Sequence, residues 1–222
     1  MPQLGLRGIV LNLRFELAYL LGYTPWDHWH AELWGPLRNL IEGPESLPAG
    51  RAIDLGCGMG LLTIYLAQHG WQATGIDAVE RALHVARRRA AKSRVGVTFV
   101  HGDVRRIDEA RIVGPFELLL DFGCFHTMSD HERRRYVESI KSVAADNAHL
   151  LLFALGPAGF RPWPRGARHA DVERHFSSAW SIIWNAPENK MPVPLPRSAT
   201  ATWYLLKRKL LQPCLIELEL RK

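Results

Sequence analysis

Two short stretches hold the residues best suited to chemistry: DLGCGMG, Asp54 to Gly60, and DFGCFHTM, Asp121 to Met128. Both follow apolar runs and begin Asp–apolar–Gly–Cys, but only the first continues with glycines. Gly56, Gly58 and Gly60 alternate where RAIDLG gives way to the helical composition LLTIYLAQHG. A tight strand-to-helix turn needs one glycine. Three let the backbone approach a ligand closely, where a helix N-terminus presents unpaired N–H groups. Dinucleotide binding asks for G-x-G-x-x-G, whose third glycine would fall on Leu61, so that register fails. Two further acids end apolar runs downstream, Asp77 in QATGID and Asp103 in VTFVHGD.

Asp-x-Gly-x-Gly-x-Gly with an acid at its head resembles motif I of the class I S-adenosylmethionine-dependent methyltransferases. The resemblance covers residues 50 to 155 and implies S-adenosyl-L-methionine as cofactor, held by Asp54, Gly56, Cys57, Gly58 and Gly60. It implies that Asp77, with its neighbour Ala78, takes the ribose hydroxyls, although Asp77 also suits the N-cap of the following helix. It places Asp103 beside the exocyclic amine of adenine with Val104 donating its backbone N–H, where a plain strand-end turn is the alternative. It makes Asp121 to Gly123, Phe122 included, a cofactor wall.

Upstream, YTPWDHWHAELWGPL (residues 23–37) resembles the N-terminal lid of the thiopurine and tellurite-resistance group of small-molecule methyltransferases. Aromatic faces attract cations by about 0.5–2 kcal/mol, so at least one of Trp26, Trp29 and Trp34 is expected at the sulfonium, Trp26 foremost. Packing of a helix on the sheet edge is the alternative. Asp27, His28 and His30 do not complete a metal ligand set, and no metal is expected.

Methyl transfer is a one-step displacement by an N, O or S lone pair, in which a protein mainly holds the nucleophile in line and excludes water. A weak nucleophile also needs a base, and His126 is the candidate, with a structural hydrogen bond as its other reading. Phe125 faces the acceptor side in this scheme. Trp163 and Met191, in the Pro-rich loops 156–168 and 187–198, and His30 complete the expected acceptor pocket. Cys124 reads as a small packed residue. A nucleic-acid enzyme would carry Asn/Asp-Pro-Pro-aromatic after the fourth strand, and DFGCFH has no proline. Protein or lipid acceptors, or a cofactor-binding module without chemistry, are the remaining alternatives.

The elements that must position these residues alternate. Strand patterns at 51–56, 72–77, 97–103, 116–123 and 149–155 are separated by helical patterns, one opening on the capping box Ser129–Glu132. Uninterrupted apolar strands between helices mean a parallel sheet covered on both faces. WSIIWNA (180–186) and ATWYLLKRK (201–209) read as a closing antiparallel hairpin, and LIELEL (215–220) as a possible further strand. The expected fold is α/β, a Rossmann-like, doubly wound, seven-stranded and mostly parallel sheet with an antiparallel C-terminal hairpin. Residues 1–45 form a helical lid segment and residues 46–222 a single domain.

Composition bounds the rest. The 222 residues are 47% hydrophobic and 23% charged, enough for one well-buried domain and short for two. Leu6, Ile9, Val10, Leu13, Leu17 and Leu20 share a helical face, but Arg7, Arg14 and Glu16 break any signal-peptide core or membrane span, leaving a packing helix or a peripheral membrane contact. Three cysteines with no CxxC pair fit a reducing cytoplasm. The net charge of +6 is bunched at Arg87–Arg89 and Arg133–Arg135, both expected on solvated helix faces.

Overall fold

The computed structural model describes residues 15–22, 24, 34–158, 165–189 and 200–210. Seven strands form one sheet: β1 (Arg51–Leu55), β2 (Gln72–Asp77), β3 (Thr98–His101), β4 (Phe116–Phe122), β5 (Ala144–Leu155), β6 (Trp180–Pro187) and β7 (Ala201–Arg208). Their order is β3-β2-β1-β4-β5-β7-β6. The first five pair in parallel, whereas β7 runs antiparallel to both β5 and β6. The expected mixed sheet is therefore present, with the last strand inserted between its two partners.

Alternation along the strands feeds two cores. Ile53, Leu55, Leu119, Leu150 and Leu152 point to one face, where they meet α4 (Asp130–Val143) and α5 (His169–Phe176). Ala52, Leu118, Leu120, Leu151 and Phe153 point to the other, beneath α1 (Gly35–Glu42) and α2 (Leu61–Gln68). α3 (Glu80–Ser93) links β2 to β3 and buries Ala82, Leu83, Ala86 and Ala90 along one side. Each fully buried Leu or Ile contributes about 1.5–3 kcal/mol, which is why the central strands tolerate so little polarity.

Register decides where the site lies. Asp121 pairs with Leu55 and Leu152, and Ala201 with Leu155. The C-terminal ends of β1, β2, β4 and β5 thus share one rim, and the chain enters β7 at that same rim.

Several boundaries differ from expectation. β3 stops at His101, and β5 starts at Ala144, directly after α4. Residues 15–20 are helical, yet Leu17 and Leu20, expected on a packing face, are 52% and 58% exposed. Arg133, expected on a solvated face, is buried, because it shares the i, i+3, i+4, i+7 face of α4 with Tyr136, Val137 and Ile140. Arg87 and Arg88 are exposed as expected. LIELEL lies outside the described residues. Among the described residues no helix is long and apolar enough to cross a membrane.

Candidate active site

The loop between β1 and α2 is built on glycines in the left-handed region, with φ of 73° at Gly56, 52° at Gly58 and 78° at Gly60. Any other residue is strained at such angles. At Gly60 a Cβ would also lie 2.7 Å from Phe99 and 2.8 Å from Ala86, so that glycine lets α2 start against α3 and β3. Gly56 is exposed at the rim, and its bare Cα packs on Cys124 from the exit of β4. The shared Asp–apolar–Gly–Cys therefore marks two strand ends in contact, with Cys124 in the expected packing role.

The loop's amide donors turn inward. Gly56 and Cys57 both donate to Ile76 O, Gly60 donates to Cys57 O, and Gly58 donates to Asp77 Oδ2 at 2.8 Å. Asp77 Oδ1 also accepts from Val79, so this carboxylate ties the loop to the end of β2. It does not cap α3, whose N-cap is Val79. Behind the loop Asp54 is buried, accepting from Thr63 Oγ1 at 2.6 Å. Burial pushes its carboxyl up to about 7 against the pull of the Thr63 hydroxyl, with the neighbouring charges of Asp77 and Asp121 adding to the rise. The loop consequently turns its Gly56, Cys57, Gly58 and Gly60 amides inward and presents glycine backbone over three acids. That environment suits a cation.

At the end of β3, Arg105 grips Asp103. Asp103 Oδ1 accepts from the Arg105 backbone N–H at 2.9 Å and from Nε at 2.8 Å, and Oδ2 accepts from Nη2 at 2.7 Å and from Nε at 3.0 Å. The guanidinium continues to Glu132, whose carboxylate completes the Ser129 capping box at the start of α4. Val104 is buried and Ala78 half-buried at the same rim. The sequence reading missed Arg105. Its signal was a cation two residues beyond an acid at a strand end.

The exit of β4 differs from its expected layout. Asp121 Oδ1 accepts from Gly123 and Cys124, and Oδ2 from Phe125 at 3.0 Å and Tyr136 Oη at 2.7 Å. Its carboxylate thus builds the 3-10 turn Phe125–Thr127, and only the Asp121 backbone remains for a ligand wall. The turn drives Phe125 into the core, where it is 0% exposed and packs on Tyr136, Phe176 and the Arg133 guanidinium. Phe125 therefore does not line an acceptor pocket.

His126 is buried as well, and its Nδ1 accepts the Leu155 N–H at 3.3 Å while the ring also bonds to the Phe153 backbone. Burial holds its pKa down to about 4, with Arg133 nearby acting in the same direction. A neutral imidazole has one acceptor nitrogen, and here the Leu155 N–H occupies it. The arrangement fits the structural alternative and leaves no lone pair for a base. Arg133 donates to Phe125 O and Gly166 O, so the same buried cation anchors both this turn and the chain after β5.

Beside this exit, Phe122 stacks on Phe153 with ring centroids 4.9 Å apart, and Trp203 of β7 closes the cluster 4.9 Å from Phe153. Trp203 Nε1 donates to Glu188. A small cavity bordered by Trp34, Leu37, Leu120, Asp121, Phe122 and Trp203 lies between this cluster and α1. Trp34 itself tilts against Tyr65. Phe153 and Trp203 had not been singled out, being apolar strand residues with no motif around them. Trp26, Trp29, His30, Trp163 and Met191 lie outside the described residues. Among the described residues no group of three His, Cys, Asp or Glu could hold a metal.

Residues 52–147 match the family model described as a methyltransferase domain. The 2-heptyl-1-hydroxyquinolin-4(1H)-one methyltransferase of Mycobacteroides abscessus is 31% identical over 137 residues, 60% of this chain and 60% of that protein. The 1,6-didemethyltoxoflavin-N1-methyltransferase of Burkholderia thailandensis, solved with 1,6-didemethyltoxoflavin and S-adenosylhomocysteine bound, superposes with a TM-score of 0.70. The matched domain, the relative and the superposed structure together support a class I S-adenosylmethionine-dependent methyltransferase. The superposition covers 95% of this chain and 93% of the other at 20% identity, a likeness of fold. An uncharacterised methyltransferase of Schizosaccharomyces pombe is 27% identical over 53% of this chain and 82% of its own length. These likenesses support S-adenosylmethionine as the cofactor.

Proposed function

We propose that this methyltransferase moves a methyl group to an N, O or S atom of a small molecule, acting mainly by proximity and orientation. The observation that carries the reading is the loop 54–60, whose Gly56, Cys57, Gly58 and Gly60 amides are engaged inside the protein above Asp54, Asp77 and Asp121. S-adenosylmethionine is a sulfonium that also bears an ammonium group, and when bound it supplies the activated methyl. Asp54, Gly56, Cys57, Gly58 and Gly60 would line its amino-acid end, Asp77 and Ala78 its ribose, and Asp103 with Val104 its adenine. The backbone at Asp121 and Phe122 would form the wall towards the acceptor. Residues 46–222 would be the catalytic domain and residues 1–45 a lid, with Trp26 facing the sulfonium and His30, Trp163 and Met191 the acceptor. Free Cys57 and Cys124 fit a reducing, cytoplasmic setting.

Phe122, half-buried at the β4 exit and backed by the buried Phe153 and Trp203, supports an acceptor with an apolar body, as does the fused ring named for the Mycobacteroides relative. With the Nδ1 of His126 engaged by Leu155, an acceptor nucleophilic without a base fits best, such as an amine or a thiolate. Calorimetry of dialysed protein with S-adenosylmethionine tests the first part, and no binding would end the reading. Incubation with cofactor and cell extracts, followed by S-adenosylhomocysteine release and a mass gain of one methyl, tests the second. Transfer confined to RNA or protein fractions would overturn the small-molecule acceptor.

A further inference from the structure

Far in sequence from the glycine loop, an apolar helix face turns outward. Residues 15–20 are helical, and the Leu21 N–H extends the ladder by donating to Leu17 O at 2.9 Å. Leu17, Leu20 and Leu21 stand three and four apart, so they share one side, and they are 52%, 58% and 71% exposed. Phe15 and Tyr19, on the other side, are half-buried. The sequence repeats the spacing upstream: on a helix, Leu13, Val10, Ile9 and Leu6 fall on the leucine side, with Arg14 and Arg7 at its border. Glu16 is the only acid among the first 22 residues. Elsewhere the charge is equally one-sided. Residues 80–94 carry six Arg or Lys against Glu80 alone, and Arg81, Arg88 and Lys92 are exposed along α3.

We propose that the leucine face of this helix docks on an anionic lipid bilayer. Leucines at i, i+3 and i+4 bordered by arginines are the pattern of a helix lying in the interface plane, where the apolar side enters the acyl boundary and the cations meet headgroup phosphates. A net charge of +6 steers the chain to the same surface. A second copy of the chain is the poorer occupant. Three leucine side chains offer far less than the roughly 800 Å² per partner of a stable protein interface, and the two copies would repel. An acceptor with an apolar body concentrates in the lipid phase, a consequence that rests on the acceptor reading above, whereas the docking itself does not.

The test is co-sedimentation of the whole chain with vesicles of phosphatidylcholine, alone or with about one third phosphatidylglycerol. Neither cofactor nor acceptor is present, so a failure here leaves methyl transfer untouched. Wild type should bind the anionic vesicles about tenfold more tightly than the neutral ones, and raising salt to about 0.5 M should remove most of that difference. The triple variant Leu17→Ser, Leu20→Ser, Leu21→Ser should lower the partition coefficient by more than about tenfold, with Tm unchanged because the side chains are exposed. Arg7→Gln with Arg14→Gln should weaken binding to the anionic vesicles by about tenfold. That pair keeps the leucines, so the comparison stands even if the triple variant does not fold. Equal binding by wild type and the leucine variant, or no sedimentation with either vesicle, overturns the proposal. Equal binding of wild type to both vesicles overturns its anionic part. A concentration-dependent dimer that the leucine variant loses, with no vesicle binding by wild type, assigns the face to a second copy instead.

Discussion

At the level of single side chains, Asp54 meets two opposing demands. Burial lifts its carboxyl from 3.8 to about 7, whereas a cationic ligand is attracted only by the ionised form. The folded chain holds a proton that the unfolded chain releases between those values. Asp54 therefore favours the fold most at low pH, and this contribution is lost as pH rises through about 7. Asp54→Asn should then melt above wild type near pH 8 without cofactor, with the gap narrowing through pH 5 and closing near pH 4. The same variant should bind S-adenosylmethionine more weakly, and without the loss of affinity that wild type shows when pH falls through about 7. Equal pH slopes in calorimetry for the two proteins would refute the role of Asp54. For His126 the signs are reversed: its pKa is lowered to about 4, so it stays neutral in the fold through the physiological range. His126→Ala should cost about 1–3 kcal/mol by stranding the Leu155 N–H, measured by urea unfolding. The pH–rate profile should show no step near 6.5 in wild type that this variant removes.

At the level of elements, helix starts and strand ends were legible because their chemistry is local. The Ser129–Glu132 spacing announced the start of α4, and both arms of the box form. Ser129→Ala should therefore cost about 1 kcal/mol of stability in urea unfolding. The destination of side chains past a strand end was not legible in the same way. DFGCFH placed Phe125 and His126 next to the rim, but direction there depends on the turn type, and the turn is made by Asp121 gathering three amides and the Tyr136 hydroxyl. That partnership spans 15 residues and leaves no periodic trace. Arg133 shows the opposite case, since counting i, i+3, i+4 and i+7 along α4 would have revealed its burial.

At the level of the whole molecule, the strand order places the glycine loop, the three acids and the aromatic cluster on one rim although they lie up to 149 residues apart, from Asp54 to Trp203. Parallel pairing was readable from the apolar strands. The buried aromatic cluster behind Phe122 was not, because it exists only once β7 has inserted beside β5 and brought Trp203 against Phe153. A ligand spanning that rim bridges β1, β2, β3 and β4 at once, so its binding energy appears as stability of the entire sheet. Cofactor or S-adenosylhomocysteine at about 100 times Kd should add about 2.7 kcal/mol. In a chain of this size that corresponds to roughly 5–10 °C in Tm by scanning calorimetry. Gly56→Ala supplies the control. The site is exposed, so the variant should fold, but its Cβ meets Cys124 Sγ and its φ of 73° becomes strained. The loop must then shift, and the ligand-induced rise in Tm should fall by more than half. A full rise in that variant would place the cofactor away from this loop, whatever the family resemblance.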